Sequence, residues 1–169
     1  MSFKYPKASQ NAGNASEVHF EPEFIVGLRE VFEKSVAFNQ TIGLKIAEIT
    51  PELVHGQLAM RPDLIGHSAY QRIHGGVISA GLDSMGGLAV MAAIAAKHMT
   101  DTPVQRLQRF SRLGTIDLRV DYLRPGIGKA FRLTARVVRL GSRVANTQME
   151  FLSEQGELLS TGTAAYIVS

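Results

Sequence analysis

His74-Gly75-Gly76-Val77-Ile78-Ser79-Ala80-Gly81-Leu82-Asp83 opens an apolar segment that runs to Ala96 and carries one ionisable side chain, Asp83. A carboxylate in so apolar a setting is costly unless it is paired or used, which makes Asp83 a candidate for chemistry. A Gly-Gly pair at the head of a helix leaves bare backbone N–H groups that a polarised carbonyl can approach closely. Donors at one end and a carboxylate further along suit an acyl-transfer site. Helical spacing puts Gly76, Ser79, Ala80, Asp83 and Gly87 on one mostly small face, open to a ligand or partner or packed on a sheet.

The run is also as long as the roughly 20 residues that cross a bilayer. Against a membrane span, Asp83 sits in its first third, and glycines and alanines dilute its hydrophobicity; a charge at that depth costs several kcal/mol on insertion. The strand-like segments downstream need an apolar partner. We therefore expect a buried core helix from Gly75 to about His98 and no membrane span.

Downstream, period-two alternation is sustained. Thr115 to Tyr122 sets Ile116, Leu118, Val120 and Tyr122 against Asp117, Arg119 and Asp121, and Arg124-Pro125-Gly126 breaks it. Phe131 to Leu140, Val144 to Leu152 and Leu158 to Val168 follow, joined by Gly141-Ser142 and Glu154-Gln155-Gly156 turns. Upstream, Gly43 to Thr50 and Leu53 to Arg61 read as two strands around Pro51-Glu52, with Pro62 to Ile73 a loop. Such alternation marks an antiparallel sheet with one buried face. Glu21 to about Phe38 repeats Phe24, Leu28, Val31, Phe32, Ser35 and Phe38 at helical spacing, an outer amphipathic helix. The sum is an α+β domain over residues 21–169, a sheet of about six strands with one long helix against it, preceded by a loose polar arm at 1–20.

At 169 residues, 45% hydrophobic and 20% charged, the chain is ordinary for one globular domain. It contains no Cys, which excludes disulfides, thiolate nucleophiles and cysteine–metal sites and suits a reducing compartment, read here as the cytoplasm. The first twenty residues lack the apolar core of a signal peptide. A net charge of +3 is weak evidence for nucleic acid, and no such partner is expected. The five His are scattered, no pair sits at ligand spacing, and no metal site is expected. Walker, dinucleotide and GxSxG patterns are not found.

This element order, with the HGGxxxxxxD spacing, resembles the hotdog fold, a curved antiparallel sheet wrapped around a central helix. It is specifically similar to the acyl-CoA thioesterases typified by phenylacetyl-CoA thioesterase (PaaI-like). The resemblance runs from about Gly43 to Val168 and includes Leu64-Ile65-Gly66, Asp121-Tyr122-Leu123-Arg124-Pro125, Arg139-Leu140-Gly141-Ser142-Arg143 and the closing Ala164-Ala165-Tyr166. It implies hydrolysis of acyl-CoA to a free acid and coenzyme A, with no cofactor beyond the coenzyme A of the substrate. It also implies that the Gly76 backbone N–H binds the thioester oxygen and that Asp83 activates water or acts as nucleophile.

Seven residues separate Gly76 from Asp83, roughly 10 Å along one helix axis. Both act on one thioester only if Asp83 faces the Gly76 end of a second copy, so a homodimer or dimer of dimers is expected. His74 either bonds the thioester or water or, as we favour, fixes the turn before the helix. Thr115 stands where relatives carry Ser or Thr that helps position water. His67 replaces the Asn many relatives carry after Leu-Ile-Gly, which puts the transfer of that role in doubt. Gly75 belongs to the carbonyl-binding turn, and Arg143, with Ser142 and Arg124 at the strand turns, is the candidate contact to coenzyme A. Arg106, Arg109 and Arg112 are a second basic group, read rather as a solvated face. Two other readings stay open: a non-catalytic acyl-CoA-binding or regulatory module, and a hotdog dehydratase or hydratase.

Overall fold

The structure, a computed structural model, describes residues 18–169; most of the expected arm lies outside the described residues. Six strands form one antiparallel sheet in the order β1-β2-β6-β7-β8-β5. They are β1 (Leu44–Ile49), β2 (Val54–Ala59), β5 (Gly114–Tyr122), β6 (Ala130–Leu140), β7 (Val144–Ser153) and β8 (Leu158–Ile167), with a separate two-stranded hairpin of β3 (Ile65–His67) and β4 (Arg72–Ile73). The helices are α1 (Pro22–Glu30), α2 (Ala37–Ile42), α3 (Gly75–Lys97) and α4 (Pro103–Gln108).

α3 is the core helix. Its Ile78, Leu82, Met85, Leu88 and Met91 are buried against Leu58, Phe131, Leu133, Met149 and Phe151 of the sheet. Each such side chain contributes about 1.5–3 kcal/mol on burial, which offsets the weak propensity of a helix with five glycines. α3 is long and apolar enough to cross a membrane, and 67% of its most apolar window is buried inside the fold. Two glycines let the sheet approach: a Cβ at Gly86 would lie 2.2 Å from the Tyr166 hydroxyl, and one at Gly81 2.9 Å from Leu133 Cδ2.

The β1–β2 turn is held by Thr50, whose N–H donates to Leu53 O at 3.1 Å and whose hydroxyl accepts from Leu53 N–H at 3.1 Å. The expected loop at 62–73 contains the β3–β4 hairpin, which brings the chain to the N-terminus of α3.

Three expectations are corrected. The helix expected from Glu21 to Phe38 is broken: a π-helical turn spans Val31–Ser35, Val36 is extended, and α2 starts afresh at Ala37. The wider turn changes the buried face, so Phe38 is 59% exposed while Asn39 and Ile42 turn inward. Asn39 pins this junction, donating to Phe32 O at 2.8 Å and accepting from Ser84 Oγ at 2.7 Å. Second, residues 18–20, expected within the loose arm, include Phe20, whose ring packs 5.1 Å from that of Phe24.

The third correction concerns β5. Thr115 pairs with Tyr166 but Asp117 with Ala165, so Ile116 is the extra residue of a β-bulge. The expected alternation set Ile116 beside Leu118 on the inner face; the bulge turns it out, 57% exposed. It places Thr115 opposite the inward-facing Tyr166 instead.

Candidate active site

Asp83, half-buried on α3, is met by two hydroxyls from the sheet. Thr115 Oγ1 donates to its Oδ1 at 2.9 Å. Tyr166 on β8 reaches it from the core, its hydroxyl 2.8 Å from Asp83 O and 3.1 Å from Asp83 Oδ1. Burial pushes the Tyr166 phenol well above its ordinary range, and the facing Asp83 charge and their hydrogen bond push it further. Tyr166 therefore keeps its proton at neutral pH and donates it. Both donors address Oδ1, and Oδ2 has no partner among the described residues.

The N-terminus of α3 forms the second part of the site. His74 is extended and caps the helix, its Nδ1 accepting from Gly76 N–H at 2.9 Å. His74 O accepts from Val77 and Ile78 N–H. The Gly76–His74 bond is solvent-exposed, so a substrate oxygen can compete for the donor. Gly66 lies flat on His74, where a Cβ would meet His74 Cα at 2.7 Å. His67 is exposed on β3, its ring 4.9 Å from that of Tyr70. Tyr122 closes the helix start from β5, donating to Gly75 O at 2.9 Å. A cleft of about 370 Å³ opens here between Arg72, Gly75, Ile78, Tyr122 and Arg124. Arg124 is anchored at its rim by Leu158 O at 2.9 Å and Glu157 Oε1 at 2.9 Å.

A half-buried carboxylate with one open oxygen and exposed backbone donors at the start of the same helix are the groups that this geometry offers for chemistry. Residues 70–160, more than half of the chain, match the family model of the Thioesterase superfamily. The chain belongs to the thioesterase superfamily. It is 36% identical over 139 residues to the medium/long-chain acyl-CoA thioesterase YigI of Escherichia coli K12, covering 82% of this chain and 90% of that protein. Identity to the protein of the same name from Salmonella typhimurium is 38% over 141 residues, at 82% and 90% coverage. A crystal structure from Shewanella oneidensis, of a protein related to the thioesterase superfamily, superposes with a TM-score of 0.81 at 40% identity, covering 89% of this chain and 100% of that one. This thioesterase is thus a thioester hydrolase on the hotdog fold.

Not every expected residue of the thioesterase converges. Asp83 and Thr115 are in contact, and His74, Gly75, Gly76 and Arg124 gather at the start of α3, with His67 on the adjoining hairpin. Ser142 lies at the other end, lining a cleft with Lys97, His98 and Arg109, roughly 20 Å from Asp83 along α3; the exposed Arg143 follows it on the same turn. The Arg106 group is not a solvated face. Arg106 is 0% exposed, stacked 4.6 Å over the Phe24 ring and bonded to Glu21 and Met99, and it holds the Glu21 carboxyl below its usual range. Arg109 pairs with Asp101 at 2.8 Å, and of the three Arg112 alone is exposed. Leu107, Phe110 and Leu113 pack on the core.

Residue spacing alone assigns no role to Tyr166, Tyr122 or Arg72. The available signal is Tyr166 at an inward position of β8: a buried phenol needs a partner for its hydroxyl, and Asp83 is the one carboxylate in the apolar segment of α3.

Proposed function

We propose that this thioesterase hydrolyses medium- to long-chain acyl-CoA to the free acid and coenzyme A, as a cytoplasmic member of the PaaI-like branch. The names of its relatives support the substrate class. The observation that carries the chemistry is the asymmetry of Asp83: Oδ1 accepts from Thr115 and Tyr166, and Oδ2 is left as a base. Water bound at Oδ2 gives up a proton as its oxygen adds to the thioester carbonyl. Collapse of the tetrahedral intermediate breaks the C–S bond, and the proton passes from Asp83 to the departing thiolate. The same open oxygen suits nucleophilic attack with a transient anhydride.

In this reading the Gly76 N–H passes from His74 Nδ1 to the thioester oxygen, and one such donor contributes about 3 kcal/mol as the oxyanion forms. His74 then sets the turn and holds the donor ready between turnovers. Gly75 and His67 border the carbonyl, and Arg124 at the rim of the cleft takes the phosphates of coenzyme A. The roughly 10 Å between Gly76 and Asp83 along α3 requires two copies of the chain. β5 supports this, since it is an edge strand with Ile116 57% exposed on it, and an edge strand offers its free backbone groups to a strand of another chain. Any contact of Arg143 and Ser142 with coenzyme A then comes through assembly.

The test is thiol release from acyl-CoA substrates of short, long and aryl type by wild type and Asp83→Asn, with sedimentation to establish the oligomer. Turnover by wild type and a loss of about 100-fold or more in the folded variant are expected. Equal rates would remove Asp83 from the mechanism. Tight binding of acyl-CoA without hydrolysis would make the chain a binding module.

A further inference from the structure

We infer that Tyr166 is a positioning residue for Asp83, and that residue 86 is glycine so that the phenol can reach the helix. The inference rests on the proposed role of Asp83 as the catalytic carboxylate. Tyr166 is 83 residues from Asp83 in sequence and touches both its main-chain oxygen, at 2.8 Å, and its Oδ1, at 3.1 Å. The single hydroxyl proton is shared between these two oxygens, which ties the side chain to its own backbone, and Thr115 Oγ1, at 2.9 Å from the same Oδ1, fixes it from the other side. A carboxylate gripped through one oxygen by two donors cannot rotate without breaking both bonds, so Oδ2 keeps a single direction. Orientation of this kind is what a general base needs.

Gly86 is the independent sign. It is buried in mid-helix, where glycine weakens the helix relative to alanine. Its Cβ would lie 2.2 Å from the Tyr166 hydroxyl and 3.0 Å from Cζ. The adjacent Gly87 has no such obstacle, since its Cβ would meet Leu113 Cδ2 at 3.4 Å. The glycine thus stands where the phenol passes. The phenol is held protonated by burial and by the Asp83 charge, so it donates throughout the neutral range.

Tyr166→Phe keeps the buried ring and removes only the hydroxyl. The expected result is a fall in kcat of about 10-fold with KM within about twofold, since an oriented base acts on the chemical step rather than on binding. In Asp-labelled protein the Asp83 13Cγ resonance, assigned by its loss in Asp83→Asn, is expected to move in Tyr166→Phe. Gly86→Ala displaces the same hydroxyl and is expected to lower kcat alike; the double variant is expected to be no slower than the slower single one. A Tyr166→Phe enzyme with unchanged kcat and an unmoved Asp83 resonance overturns the inference. Should the wild type hydrolyse no thioester, the proposed function is what fails. The 13Cγ resonance then decides this inference alone: movement supports the grip on Asp83, and no movement refutes it.

Discussion

Gly86 and Gly87 are neighbours in one helix, yet alanine is expected to act on them with opposite sign. At either position alanine relieves the helix by about 1 kcal/mol. At Gly86 the new Cβ would sit 2.2 Å from the Tyr166 hydroxyl, whereas real Cβ contacts essentially never fall below 3.0 Å. The phenol must therefore withdraw by about 1 Å, which takes its 2.8 Å bond to Asp83 O past the hydrogen-bonding limit. Tyr166 is 1% exposed, so its hydroxyl finds no water. A buried unsatisfied group costs about 1–3 kcal/mol, and overpacking adds about 1–3 kcal/mol. The net expectation is destabilisation by about 3 kcal/mol for Gly86→Ala and stabilisation by up to about 1 kcal/mol for Gly87→Ala. In a domain of this size 1 kcal/mol moves Tm by about 2–4 °C. Thermal unfolding followed by circular dichroism should thus put Gly86→Ala about 6–12 °C below wild type and Gly87→Ala slightly above it. Midpoints that shift in the same direction would refute the reasoning.

Three further expectations concern stability. Asn39→Ala strands Phe32 O and Ser84 Oγ at the α2–α3 contact and should cost about 2–4 kcal/mol in urea unfolding; with Ser84→Ala added, the total should fall short of the sum. The raised Tyr166 pKa means that the folded state holds a proton which the unfolded chain releases above its ordinary value of 10.0. Its contribution is therefore complete below that pH and lost above it, at about 1.4 kcal/mol per pH unit, and the alkaline slope of unfolding free energy should be shallower in Tyr166→Phe. Glu21 is held below its ordinary 4.5 by Arg106, so its contribution is present above that pH and lost on acidification. Glu21→Gln should lower Tm at neutral pH, with the difference from wild type closing as the pH falls.

The pattern of residues was informative wherever a single element decides the outcome. Five apolar turns of α3 with one carboxylate, and the alternation of four downstream segments, depend on which side of a helix or strand faces the core, and spacing records that directly. The breaks in the pattern were not legible. Ser35 and Phe38 continue the helical spacing of Phe24 and Leu28, but the π-helical turn shifts the face, and Asn39, turned inward by it, meets Ser84 of α3 from far along the chain. Ile116 keeps perfect alternation with Leu118, and the bulge that expels it is a property of pairing with β8.

The arginines divide in the same way. Arg106, Arg109 and Arg112 share one spacing, and only packing separates a guanidinium at 0% exposure over Phe24 from one that is exposed. By itself, then, the sequence determined the core helix, the succession of strands along the chain and the presence of a glycine turn and a single carboxylate on that helix, because periodicity and chain order are local quantities. Tertiary structure alone decided which oxygen of Asp83 is free. That depends on a bulge beside Thr115, whose hydroxyl reaches Asp83, and on Gly86 admitting Tyr166, contacts between segments brought together by the closure of the sheet over α3.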